Sequence, residues 1–192
     1  MSSIAFVLGN GESRKGIEIN DLMGKGTVFA CNAVYRTHRP HYLIAVDPTM
    51  IKEITQQNYQ NNHSVWTNHH KDVDDIKGIH FFSTNLGWSS GPTALNMAVS
   101  KGFKEIYVLG FDFGGIDGKF NNIYKDSPNY RLSSDSPTFY GNWVNQVKTV
   151  LDNTDAKIYR VINKNHQKIQ DYMPELSWQE IEMAKFIQKF GH

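Results

Sequence analysis

The chain has 192 residues, 40% hydrophobic and 12% aromatic, which is enough for a real core and the size of one domain or slightly more. Its 20 basic and 19 acidic residues leave a net charge of +1, so no general nucleic-acid or membrane-surface binding is expected. The single cysteine, Cys31, excludes an intrachain disulfide and a cysteine-built zinc site. No stretch nears the roughly 20 apolar residues of a membrane span, and Met1-Ser2-Ser3-Ile4 does not start a signal peptide, so a cytoplasmic protein is expected.

Ile4-Ala5-Phe6-Val7-Leu8 is a continuous apolar run, the pattern of a strand covered on both faces. It ends in Gly9-Asn10-Gly11-Glu12-Ser13. Glycines there let the backbone approach a ligand, though they also serve tight turns. The turn lacks the third glycine of a dinucleotide fingerprint, and Ile17-Glu18 stand where a Walker A loop needs Lys-Ser/Thr. Residues 17–23 read as a short helix or turn, broken by Gly24-Lys25-Gly26. Residues 27–31 predict the second strand, with Asn32 at its end. Residues 42–46 predict the third, ending in Asp47, with Pro48 opening a helix to about Tyr59. Residues 64–67 and 79–82 read as short strands. His69 and His70 between them are adjacent, point to opposite faces of an extended chain, and predict no metal site.

Ser90 or Gly91 can cap the next helix, with Pro92 in its first turn and Thr93 after it. Ala94, Leu95, Met97, Ala98 and Val99 make this helix apolar, and Lys101-Gly102 stops it. Its unpaired N–H groups suit a phosphate or carboxylate, although capping alone accounts for the same residues. Ile106-Tyr107-Val108-Leu109 is a second buried strand, and Asp112 stands just past its carboxyl end. Ligands of open α/β sheets bind at that edge. Gly-Asn-Gly, Asn32, Asp47 and Asp112 therefore end successive strands in polar groups, a pattern that looping alone does not require.

Residues 114–137 form a long polar stretch interleaved with Tyr124, Tyr130 and Arg131. Such a loop in a compact domain is a lid, a substrate loop or disordered; the aromatics and the arginine favour a lid. Residues 138–153 predict a helix with Phe139, Trp143, Val147, Val150 and Leu151 on its apolar side. Residues 156–162 predict the last strand, whose exit brings His166 to the same edge, as a ligand contact or a solvated loop residue. Ser177-Trp178-Gln179-Glu180 is a capping box, predicting a helix over 177–190 that lays Trp178, Ile181, Phe186, Ile187 and Phe190 on the sheet. Strand and helix alternate throughout, so residues 1–192 predict one α/β domain with a mostly parallel sheet flanked by helices and a lid-like insertion after the Asp112 strand.

The runs Gly9-Asn10-Gly11-Glu12-Ser13, Cys31-Asn32, Ser90-Gly91 and Gly102-Phe103-Lys104-Glu105-Ile106-Tyr107-Val108-Leu109-Gly110-Phe111-Asp112-Phe113 together resemble the small bacterial sialyltransferases that use CMP-sialic acid. The pattern is also similar to the MptE-like group, which includes archaeal 6-hydroxymethylpterin pyrophosphokinases; there residues 42–48 match a strand ending in Asp-Pro. The resemblance spans about residues 4–165 and is most specific over 90–113. It implies a Rossmann-like domain with a nucleotide pocket. Asn10 and Ser13 would lie by phosphate or ribose, Asn32 on the sugar-nucleotide, Ser90 and Gly91 toward the donor, and Asp112 on ribose or base. Gly9, Gly11 and Thr93 complete the nucleotide-binding set.

Three positions depart from the sialyltransferase pattern. Gly87-Trp88 replace an arginine before the Ser-Gly turn. Gly114 replaces a tyrosine, for which Tyr124 or Tyr130 could substitute. Tyr140-Gly141-Asn142 stand where the catalytic histidine is expected. A side-chain base must then come from Asp47, Asp112 or His166. The sequence thus predicts a nucleotide-dependent transferase, glycosyltransferase-like, with a nucleotide-sugar donor. The alternatives are diphosphate transfer from ATP with Mg²⁺ on Asp47 and Asp112, or a binding protein that kept the pocket without the chemistry. A homo-oligomer is compatible with the sequence.

Overall fold

The computed structural model describes residues 3–163 and 176–191; His166 lies outside them. The strands are β1 (Ile4–Leu8), β2 (Thr27–Cys31), β3 (Tyr42–Ile44), β4 (Val65–Thr67), β5 (His80–Phe81), β6 (Glu105–Leu109), β7 (Lys157–Ile162) and β8 (Gln179–Glu182). They form one all-parallel sheet in the order β5-β4-β3-β2-β1-β6-β7-β8. The helices are α1 (Ile19–Met23), α2 (Pro48–Gln56), α3 (Ser90–Ser100), α4 (Gly141–Asp152) and α5 (Met183–Phe190). This is the Rossmann-like α/β arrangement that the alternation implies.

β1 is apolar throughout because helices cover both of its faces. Phe6 and Leu8 join Leu22, Ile51, Ile54 and Phe186 in one core. Ala5 and Val7, pointing the other way, join Ala94, Leu95, Ala98 and Val147 of α3 and α4 in the other. The chain runs outward from β1 to β5, then returns through α3 to place β6 on the opposite side of β1. The order reverses between β1 and β6, the position where doubly wound sheets open a ligand crevice.

The termination of α3 matches expectation: Lys101 ends the helix and Gly102 takes a left-handed φ of 85°. Its start differs. Ser89 is the N-cap and makes no side-chain cap bond, while Ser90 is already helical and turns its hydroxyl elsewhere. α4 begins at Gly141 rather than near Thr138, so Phe139 precedes the helix and is 65% exposed instead of lying on its apolar side.

The carboxyl-terminal segment needs a larger correction. Gln179–Glu182 are not the first turn of a helix over 177–190 but strand β8, paired with β7 from Tyr159↔Gln179 to Ile162↔Glu182. A capping box satisfies two backbone donors, whereas the pairing satisfies a whole row of groups on the open edge of β7. Trp178 and Phe186 consequently sit on opposite faces of the sheet. Trp178 stacks near Phe113 at 5.9 Å, and the Arg160 guanidinium lies 5.7 Å from each of those rings. Phe186 packs on Phe6, Tyr107 and Phe190. No helix among the described residues is long and apolar enough to cross a membrane.

Phe186 is 1% exposed, so Phe186→Ala should lower unfolding free energy by about 3–5 kcal/mol in urea denaturation. A loss below about 1 kcal/mol would show that α5 does not seal this side of the sheet.

Candidate functional site

A cleft of about 280 Å³ opens at the carboxyl edge of the sheet. It is lined by the segments that follow β1, β2, β3 and β6, by the first turn of α3, by Trp143 of α4, and by Asn121, Asn122, Asn129 and Tyr130 of the 114–137 insertion. Gly9, Asn10, Gly11, Asn32, Asp47, Ser90, Gly91, Asp112 and Tyr130 all meet there, as the strand ends suggested. Ser13, Thr93, Tyr124 and Arg131 do not line it. Thr93 bonds back to the Ser89 carbonyl through its hydroxyl at 2.8 Å. Arg131 faces Asp135 at 3.5 Å and the Phe120 ring at 5.8 Å, within its own loop.

Between β1 and β6 the backbones come too close for side chains. Gly9 N–H donates to Leu109 O at 2.8 Å, and Gly11 N–H to Gly110 O at 2.9 Å. A Cβ on Gly11 would stand 2.3 Å from Asp112 Oδ2, and one on Gly9 would stand 2.6 Å from Gly110 O. These glycines therefore serve strand-to-strand approach. Asp112, 6% exposed, fastens the same turn. It accepts from Ser13 N–H at 3.0 Å, from the Ser13 hydroxyl at 2.5 Å and from Asn121 Nδ2 at 3.2 Å. Asn121 Oδ1 in turn accepts from Glu12 N–H at 2.9 Å. Both Asp112 oxygens are thus engaged within the protein, and the residue acts as a clamp instead of presenting a free carboxylate for ribose, metal or a proton.

Asn10 is likewise engaged. Its Nδ2 donates to Cys31 O at 3.2 Å and to the Tyr130 hydroxyl at 3.4 Å, and its Oδ1 accepts from Arg14 Nη2 at 3.2 Å. Arg14 also donates through Nε to Gly9 O at 2.6 Å. Nothing in the sequence marks this arginine as buried, because Arg14-Lys15-Gly16 has the composition of an exposed turn. Burial pushes the Cys31 thiol up to about 12, partly offset by Arg14, so the one cysteine facing the cleft is a neutral thiol.

Among the described residues, the Asn32 side-chain amide, the first amides of α3 and one Asp47 oxygen remain free to meet a ligand. The Ser90 hydroxyl accepts from Val46 N–H at 3.1 Å and so directs its own proton to Asn32 Oδ1 at 2.9 Å. Asn32, held at a left-handed φ of 54°, is therefore oriented with Nδ2 unbonded among the described residues. Beside it the Ser90 and Gly91 amides begin α3 and have no intrahelical acceptor. On the same side, following Val46, Asp47 caps α2, where one oxygen accepts from Thr49 N–H at 2.8 Å. Its second oxygen has no partner among the described residues. No lysine, arginine or histidine of the described residues lines the cleft. His69 and His70 lie elsewhere, beside Asp74 and Asp72.

The 114–137 insertion packs against the cleft. Ile123 N–H donates to Asn10 O at 2.8 Å, and the Tyr130 hydroxyl also accepts from Ala33 N–H at 3.4 Å. Tyr124 packs against Tyr130 with ring centroids 5.6 Å apart, behind the cleft wall. Comparison with known proteins finds no matching family model, curated protein or solved structure.

Asp112→Ala removes three hydrogen bonds, two of them holding the turn after β1. Stability should fall by at least about 2 kcal/mol, with faster hydrogen exchange at the Ser13 amide. Unchanged stability would mean that the β1–β6 junction holds without the clamp.

Proposed function

We propose that the protein is a nucleotide-dependent transferase that holds a nucleoside phosphate or nucleotide-sugar in this cleft and carries out glycosyltransferase-like chemistry. The observation that supports this reading is the division of free hydrogen-bonding groups. Donors collect at the start of α3 and at Asn32, and a free acceptor, Asp47, lies beside them, next to Val46 whose amide bonds the Ser90 hydroxyl. A phosphate suits the α3 amides, where the helix dipole favours negative charge. A hydroxyl suits Asp47. Phe111, Phe113 and Trp143 offer apolar walls for a base or sugar ring.

In such a reaction an acceptor hydroxyl oxygen attacks the anomeric carbon, the bond from that carbon to the phosphate oxygen breaks, and the nucleotide leaves with the bonding pair. The hydroxyl proton passes to Asp47, the described carboxylate in the cleft with a free oxygen. Diphosphate transfer from ATP is less well supported. It needs carboxylates to hold Mg²⁺, and the Asp112 oxygens are already engaged. The proposal takes the protein as cytoplasmic and without a nucleic-acid partner, on the sequence grounds given above.

A thermal-shift panel of CMP, CDP, UDP, GDP and ATP, with and without Mg²⁺, tests the reading. At about 100 times its dissociation constant, a bound nucleotide should add about 2.7 kcal/mol without metal. Asp47→Asn should keep that shift while donor turnover falls about 10²–10⁴-fold. No shift with any nucleotide at millimolar concentration contradicts the proposal. A shift without turnover of any nucleotide-sugar reduces it to binding.

A further inference from the structure

We propose that Arg36 and Glu53 are positioning residues: their ion pair is the latch that holds lid residues 127–130 against the cleft and so sets how long a ligand stays there. The proposal rests on reading the cleft as the ligand site, but the latch itself is a property of the ligand-free protein.

Arg36 ends the short 3₁₀ turn that follows β2, and Glu53 lies on α2. Their pairing is bidentate, Nε to Oε1 at 2.8 Å and Nη2 to Oε2 at 2.8 Å, with side chains only 22% and 16% exposed. Fork-to-fork geometry of this kind fixes orientation as well as charge. The remaining donors of the guanidinium go to the lid. Nη1 donates to Ser127 Oγ at 2.8 Å and Nη2 to Pro128 O at 2.8 Å. The guanidinium carbon lies 5.7 Å from the Tyr130 ring centroid and 6.0 Å from that of Tyr124. Glu53 reaches the same segment, where Asn129 Nδ2 donates to its Oε2 at 2.6 Å. One scaffold pair therefore holds Ser127, Pro128, Asn129 and Tyr130 in succession.

The pair does not line the cleft, but two of the residues it holds do, Asn129 and Tyr130. Asn129 adopts a left-handed φ of 64°, and the chain then delivers the Tyr130 hydroxyl to Asn10 and Ala33. The base of the lid is fastened separately, by Asn121 on Asp112 and Ile123 on Asn10. Loss of the latch therefore frees the tip of the lid and leaves its root in place. Burial pushes the Glu53 carboxyl up, but hydrogen bonds from Arg36, Tyr35 and Asn129 outweigh it and hold the group below its ordinary value. The latch is charged at neutral pH.

Arg36→Met, Glu53→Gln and the double variant test the proposal by amide hydrogen exchange on the ligand-free full chain. Each single variant should speed exchange at the Asp126, Ser127 and Tyr130 amides by about tenfold or more, with amides of β1 and β6 unchanged. The double variant should add little, since both changes open one latch. Arg36→Lys, which keeps the charge but not the fork, should fall between. Stopped-flow release of CMP should also accelerate about tenfold, with association little altered. Unchanged lid exchange overturns the latch, and so does an equal rise in the core strands, which would mark general destabilisation. If CMP does not bind the native protein, the reading of the cleft fails for CMP, while the exchange result still decides the latch.

Discussion

The ends of β1 and β6 approach so closely that three glycines, Gly9, Gly11 and Gly110, meet with no room for a Cβ among them, and Asp112 closes the junction by binding the Ser13 amide and hydroxyl. The cleft depends on this junction. It lies at the carboxyl edge where the sheet order reverses, beside the point at which the segments leaving β1 and β6 are fastened together. The same clamp reaches the insertion through Asn121, which ties the root of the lid to the turn after β1. A buried carboxylate that accepts from three donors fixes a geometry firmly, because leaving any of those donors unpaired inside the protein is costly.

What the cleft offers a ligand follows from what its polar groups have already done. Asn121 and Asp112 hold each other, and Asn10 is held by Cys31, Tyr130 and Arg14. Asn32 is set by a directed relay, Val46 amide to Ser90 hydroxyl to Asn32 carbonyl, that leaves its amide hydrogens outward. Donors at the start of α3 and on Asn32 lie beside an acceptor on Asp47, so the site offers both kinds of hydrogen-bonding group. Under the proposed reading, a phosphorylated polyol or sugar would meet both kinds of group.

Much of the architecture was legible because β1, β2 and β6 are buried on both faces beyond their first residue and so are written as nearly unbroken apolar runs. The return helix α3 carried its own stop signal in Lys101-Gly102. β8 was not legible. Gln179–Glu182 is a mostly polar edge strand, and a local capping box at the same residues pointed to a helix. The site was legible as a set of positions and not as a set of roles. Gly-Asn-Gly, Asn32, Ser90 and Asp112 do converge, but a sequence shows neither that Asp112 is engaged by Ser13, 99 residues away, nor that Arg14 fixes Asn10. Arg36 and Glu53 were missed for the same reason. An isolated arginine on a short turn and a glutamate on an amphipathic helix look like solvated surface until Ser127 and Asn129 arrive from the far side of the chain.

In the proposed reading, a nucleoside phosphate sits with its phosphate at the start of α3. Titration of ¹⁵N-labelled protein with CMP, followed by two-dimensional NMR, tests it residue by residue. The account predicts that the largest shifts fall on the Ser90 and Gly91 amides and on the Asn32 side-chain amide, with smaller changes at Asn129 and Tyr130. Shifts confined to another surface, or none at millimolar CMP, would contradict it.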